Sequence, residues 1–119
     1  MVTILLAEDD KNFARVLKRE LEEDQHVVDL VNNGIEAILA FIDHAYQFVL
    51  LDIKMPGLNG NDALRIIKKL SPSVPIITFS GNAGQTEMAQ SIKCGAVKCL
   101  IKPFQISELK EMITSQIMK

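Results

Sequence analysis

Short apolar runs alternate with longer amphipathic stretches along this chain, and that alternation restricts its fold more than any other feature. Residues 2–7 (VTILLA) and 48–52 (FVLLD) are almost wholly apolar. So are residues 75–80 (PIITFS) and 97–101. Unbroken apolar runs of that length suit strands covered on both faces. A fifth run, Val27–Val31, is interrupted by Asp29, which places it at an edge of the sheet. Between the runs, Lys11–Glu23 carries Phe13, Ala14, Val16, Leu17 and Leu21 at helical spacing. The stretches Gly34–Ala45, Asn61–Leu70, Gln85–Cys94 and Gln105–Met118 also read as helices. Ile35, Ile38, Leu39 and Ile42 form the expected inner face of the second. Pro72 and Pro75 stop the third. Gly95 closes the fourth as a C′ glycine, and Ser107 is the expected N-cap of the last. Between the third strand and third helix, residues 54–60 (KMPGLNG) read as a loop.

Strand–helix alternation repeated five times predicts an α/β fold with a parallel sheet and helices on both faces. Right-handed crossovers leave few topologies. The natural one is the flavodoxin-like, doubly wound order 2-1-3-4-5, a (βα)5 arrangement. The 119 residues suffice for a single domain, residues 1–119, with its own core. Thirteen basic against fifteen acidic side chains give a net charge of −2, too balanced for a nucleic-acid binder. The longest clean apolar stretch, Ala37–Ile42, falls far short of the ~20 residues that span a bilayer. No basic segment leads into a long apolar region at the N-terminus, and Cys94 and Cys99 form no CxxC pair. These features lead us to expect a cytoplasmic protein with free thiols and no membrane contact.

In such sheets ligands bind beyond the carboxyl ends of the strands. There the first strand runs into Glu8-Asp9-Asp10, the third ends in Asp52, the fourth in Ser80 and the fifth in Lys102-Pro103. Taken singly, each has a plain structural explanation: a helix start, a turn former, an edge terminator. Together they converge on one rim. Clustered carboxylates repel unless a cation sits among them, and hard oxygen donors suit Mg2+. An ammonium and a hydroxyl nearby would hold an anion. The set describes a site for a phosphoryl group on a carboxylate.

The segments LLAEDD, FVLLDIKMPGLNG, PIITFSG and LIKPF, in order and at suitable spacing, resemble the receiver domain of two-component response regulators. The resemblance runs from Ile4 to about Ile117. It implies that Asp52 is the phospho-acceptor for a histidine kinase or phosphotransfer protein. Asp9 and Glu8 would hold Mg2+ together with Asp52 and the backbone carbonyl of Lys54. Lys102 would contact the phosphoryl oxygens, Ser80 would be the switch hydroxyl, and Pro103 would follow a cis bond. Asp10 would be only an acidic residue at the helix start. The output face would be the fourth helix, fifth strand and fifth helix, Gln85–Lys119, read by a downstream effector protein or domain. Such a domain is a switch rather than a turnover enzyme.

The sequence also departs from the family. Cys99 stands where Tyr or Phe is usual, so the aromatic half of the switch is absent or replaced, and packing of a small apolar thiol is the plainer reading. Lys98 replaces a frequent acidic residue and argues against the usual dimer of transcription-factor receivers. Lys54 and Asn82 flank the acceptor site. The chain stops just after its last helix, as a stand-alone receiver or as a piece of a larger regulator or hybrid kinase. The competing reading is a receiver-like interaction module that needs no phosphate. A small hydrolase with an aspartyl nucleophile is disfavoured by Lys54, two residues after Asp52, where that chemistry wants a second Asp. Neither a P-loop nor GxGxxG follows the first strand, which disfavours a nucleotide-binding fold.

Overall fold

The computed structural model describes residues 1–81 and 85–118. Strands β1 (Thr3–Ala7), β2 (Val27–Val31), β3 (Phe48–Asp52), β4 (Ile76–Ser80) and β5 (Lys98–Ile101) form one parallel sheet in the order 2-1-3-4-5. Helices α1 (Lys11–Glu23), α2 (Gly34–Asp43), α3 (Gly60–Leu70), α4 (Gln85–Lys93) and α5 (Ile106–Ile117) connect and follow them. This is the expected flavodoxin-like architecture, with β2 at an edge.

The two faces of the sheet explain why its central strands are apolar throughout. Side chains alternate along a strand, so a strand covered on both sides has no polar face. Ile4, Leu6, Phe48 and Leu50 point to one core with Leu17 and Leu21 of α1 and Leu109 and Ile113 of α5. Leu5, Val49 and Leu51 point to the other, against Ala37 of α2 and Ala63, Leu64 and Ile67 of α3. Each fully buried Leu on these strands contributes about 1.5–3 kcal/mol by leaving water.

The register decides where the strands end. Ala7 pairs with Leu51, Asp52 with Phe79, and Ser80 with Ile101. The residues that follow β1 and β5 therefore share one rim with the ends of β3 and β4.

Three local expectations are corrected. In α2 the inner face is Ala37, with Ile38, Ala40 and Phe41 half-buried beside it. Ile35, Leu39 and Ile42 are instead 56%, 55% and 60% exposed. Close approach drives the choice: Gly34 lies so near Leu58 that a Cβ there would meet the Leu58 carbonyl oxygen at 2.6 Å. A helix held that close presents its small side chains inward. In α5 the N-cap is Gln105, without a side-chain bond, and Ser107 lies inside the first turn. Starting at Ile106 lets Ile106, Leu109 and Ile113 all reach the core. Asp10 is more than an acidic bystander: it is the N-cap of α1, accepting from the N–H groups of Asn12 (3.1 Å) and Phe13 (3.2 Å).

Gly95 ends α4 as expected, with φ +113°. Ala96 N–H donates to Ser91 O at 2.9 Å and Gly95 N–H to Ile92 O at 3.0 Å, the paired bonds of a Schellman motif.

Candidate functional site

Glu8 leaves β1 with its backbone fixed, its N–H donating to Val31 O at 3.1 Å. Its side chain turns inward and is buried, while Asp9 is exposed. Glu8 Oε2 accepts the Asp10 N–H at 3.1 Å. Asp52 ends β3, also buried, and its Oδ1 accepts the Lys54 N–H at 3.2 Å. The loop after it folds back tightly: Gly60 N–H donates to Ile53 O at 2.7 Å. A Cβ on Gly60 would run into the Asp52 carbonyl oxygen, so only glycine fits there.

Lys102 enters from β5. Its N–H donates to Ser80 O at 2.8 Å, which ties it to the end of β4. Its Nζ then reaches Glu8 Oε1 at 2.8 Å and Asp52 Oδ2 at 3.2 Å. The ammonium also sits 4.6 Å from the centroid of the Phe13 ring. Phe13 meets Phe104 edge-on at 5.7 Å, and Phe104 stacks on Phe79 at 5.1 Å. This aromatic bed, drawn from α1, β4 and the segment before α5, aims the lysine at the carboxylates. Sequence reasoning took Phe13 only as a core residue and did not connect Phe104 with the site. The inward spacing of Phe13 and the place of Phe104 just beyond Pro103 were the available signals.

The electrostatics are unbalanced. One ligand oxygen from each of Glu8, Asp9 and Asp52 lies within 4.8 Å of the others, and Lys102 is the one cation in contact with them among the described residues. Burial, then hydrogen bonding to Asp52, pushes the Glu8 carboxyl up to about 7, against the opposing pull of Lys102 and the Asp10 N–H. Burial pulls the Lys102 ammonium down, but its bond to Glu8 and the charges of Asp52 and Glu8 outweigh that and hold it above its ordinary value. Three hard oxygen donors with excess negative charge fit a divalent cation such as Mg2+. An open cleft of about 530 Å3 lies in front of them, lined by Asp9, Lys54, Met55, Asn59, Asn61 and Glu87 among others.

The structure thus brings together Glu8, Asp9, Asp52, Lys54 and Lys102. Ser80 is buried at the end of β4, on the same rim. The Lys102–Pro103 peptide bond is cis, as expected. Cys99 is buried on β5 beside Thr78 and packs as a small apolar side chain. Asn82 lies outside the described residues.

One polar feature went unread in the sequence. Thr78 Oγ1 donates to Ser91 Oγ at 3.0 Å, and Ser91 Oγ donates to Asn61 Oδ1 at 2.5 Å. Asn61 Nδ2 donates in turn to Glu87 O at 3.4 Å. This buried chain of bonds fastens α4 to both β4 and α3, beside the cleft.

Known proteins share this arrangement. A model of the response regulator receiver domain matches residues 4–114. The uncharacterized transcriptional regulatory protein YkoG of Bacillus subtilis is 34% identical over 114 residues, covering 96% of this chain and 50% of that protein. The CpxR homolog of Haemophilus influenzae, a transcriptional regulatory protein, is 37% identical over 109 residues, covering 92% of this chain and 47% of that protein. The chain thus spans about half the length of these relatives. Among solved structures, the receiver domain of Francisella response regulator 1452 superposes with a TM-score of 0.91 at 28% identity, covering 98% of this chain and 96% of that one. The response regulator TrrA of Thermotoga maritima, solved in complex with Mg2+ and BeF, gives a TM-score of 0.88 at 32% identity, covering 98% and 99%. With its acidic rim, its sheet order and these likenesses in agreement, the chain belongs to the response regulator receiver family, whose members serve phosphorylation-based two-component signalling.

Proposed function

We propose that Asp52 accepts a phosphoryl group from the phosphohistidine of a histidine kinase or phosphotransfer protein, in a Mg2+-dependent reaction. The observation that carries this reading is the single ammonium of Lys102 held between two buried carboxylates at the rim of the sheet. An Asp52 carboxylate oxygen attacks phosphorus in line. The P–O bond to Asp52 forms as the P–N bond to the donor imidazole breaks, and the imidazole leaves with the electron pair. Mg2+, when held by Asp9, Asp52, Glu8 and the Lys54 carbonyl, supplies positive charge for the phosphoryl oxygens. Lys102 shifts from pairing with Glu8 and Asp52 to pairing with those oxygens. Its tether to Ser80 O and the Phe13 ring keep it within reach.

Ser80 acts as the hydroxyl that responds to the new acceptor oxygens. The signal passes to a downstream effector through the face made by α4, β5 and α5. Because Cys99 fills the position of the usual aromatic, the response at β5 does without ring rotation. The domain changes state once per phosphoryl group and is not a turnover enzyme.

The test is intact mass after incubation with Mg2+ and acetyl phosphate, beside an Asp52→Asn variant and an EDTA control. A gain of one phosphoryl group that requires Mg2+ and Asp52 is expected. No gain, together with no Mg2+ binding, would replace this reading with a phosphate-independent interaction module.

A further inference from the structure

A groove between α3 and α4 leads away from the acidic rim and changes sign along its length. At the rim it is lined by two acidic side chains, Asp9 and Glu87, and one basic one, Lys54, with Asn59 and Asn61. Those two asparagines also line the next stretch, where Asp62, Arg65, Lys93 and Cys94 join them. The far end is a cleft of about 400 Å3 lined by Arg65, Lys68, Lys69, Lys93 and Cys94. On a chain of net charge −2, this is a local concentration of positive charge.

Little of it is neutralised. Lys69 and Lys93 make no ion pair among the described residues. Among the described residues Arg65 meets only Asp62, at 3.6 Å and well exposed. The Lys68 ammonium donates to Val74 O at 2.6 Å and Pro72 O at 3.2 Å, bonds that hold the head group on backbone carbonyls without a counter-charge. Clustered cations with one weak counter-charge raise one another's energy until an anion lies between them. An exposed apolar side chain adjoins them: Ile66 lines a neighbouring cleft with Leu58 and Asp62 that shares Arg65 and Lys69.

We propose that this groove docks an acidic amphipathic segment of a partner protein, its carboxylates on Arg65, Lys69 and Lys93 and an apolar side chain against Ile66. A helix laid in a groove is a common form of such recognition. Charge complementarity selects the occupant. A nucleic acid is negative throughout, and following the groove would bring its phosphates against Asp9 and Glu87. A protein segment places acidic residues at one end alone. The apolar flank likewise suits a protein better than a phosphate backbone. The basic cleft at its far end has no residue of the acceptor site in its lining.

The probe is a fluorescein-labelled helical peptide with leucines on one face and glutamates beside them, compared with its glutamine counterpart. Binding is read by anisotropy. The wild type is expected to bind the glutamate peptide saturably. The R65E/K69E/K93E variant and the glutamine peptide are each expected to lose about tenfold or more in affinity, and added salt to weaken binding. The R65K/K69R variant keeps the charges and is expected to bind as wild type. Cys94 gives an independent readout, because Cys99 is buried and Cys94 is partly exposed in the groove. Peptide should slow alkylation of Cys94 by a maleimide several-fold. Absent binding, binding indifferent to the charge reversals, or an unprotected Cys94 overturns the proposal. So does tighter binding of an oligothymidylate, which would assign the groove to nucleic acid. A concentration-dependent dimer abolished by R65E/K69E/K93E, seen by sedimentation, would assign it to a second copy of this chain and overturn it as well.

Discussion

Lys102 Nζ stands 2.8 Å from Glu8 Oε1, joining residues 94 positions apart in the chain at the most enclosed carboxylate of the rim. The same ammonium serves Asp52 at 3.2 Å. One cation therefore offsets two buried carboxylates, and removing it leaves both uncompensated. Lys102→Met is expected to cost about 3 kcal/mol at pH 8 in the absence of divalent cations, the low end for breaking a buried pair because the lysine is partly exposed. Glu8 titrates near 7, above its ordinary 4.5. A raised folded-state value means that its contribution to stability is fully present below the unfolded value and is lost as pH rises through about 7. The penalty of Lys102→Met should therefore shrink at pH 5, where Glu8 carries its proton. Urea unfolding at the two pH values, with EDTA, measures this. An equal loss at both would show that uncompensated charge is not the cause.

Divalent cations should act in the opposite pH sense. Mg2+ at ten times its dissociation constant is expected to stabilise the protein by about 1.4 kcal/mol, a melting shift of about 5 °C at this chain length. The shift should be larger at pH 8 than at pH 5, since a protonated Glu8 opposes the cation, and EDTA should abolish it. Asp9→Asn is expected to remove most of the shift while leaving the metal-free melting temperature within about 1 °C, because Asp9 is exposed. Differential scanning calorimetry with and without Mg2+ tests both points.

Ser91 is the middle link between Thr78 and Asn61. Ser91→Ala is expected to cost about 1–3 kcal/mol, because two buried polar groups lose their partner. Replacing all three by apolar residues of similar shape, as in Thr78→Val, Ser91→Ala and Asn61→Leu together, should recover most of that loss. Denaturant unfolding of the single and triple variants decides it. A triple variant less stable than the single would mean that the bonds themselves outweigh their desolvation.

Gly60 is fixed by the carbonyl of Asp52 rather than by a positive φ. Gly60→Ala is expected to destabilise by about 3 kcal/mol, the high end for overpacking, because the clash is with backbone that has no rotamer to relax into. Gly57, with φ +78° and open space where a Cβ would stand, should instead tolerate Asn with a cost below about 1 kcal/mol. Thermal melts of the two variants separate the two roles.

The sequence made the sheet readable because burial on both faces forces unbroken apolar runs, as in Phe48–Asp52. It made the rim readable because the register brings the residues after β1 and β5 to the ends of β3 and β4. What it hid depended on contact between distant segments. Periodicity gave α2 an inner face of Ile35, Ile38, Leu39 and Ile42, yet the near touch of Gly34 and Leu58 selected Ala37 and left Leu39 outside. Thr78, Asn61 and Ser91 carry no pattern, since each is an ordinary polar residue until the fold buries it beside the others. Phe13 read as a core residue and Phe104 only as the end of LIKPF, and their packing against one another beside Lys102 is what gives them a part in the site.

The edge of the sheet carries a consequence of its own. β2 leaves a row of backbone donors and acceptors open along one side, and Asp29 sits in its middle, its Oδ2 accepting the Tyr46 hydroxyl at 2.6 Å. On the opposite edge, β5 presents Lys98. A strand added at either side would have to settle beside a fixed charge on a ribbon only four or five residues long. Short charged borders of this kind resist the zippering of one molecule onto the next. The sheet therefore has no long, uncharged border along which a second sheet could extend it.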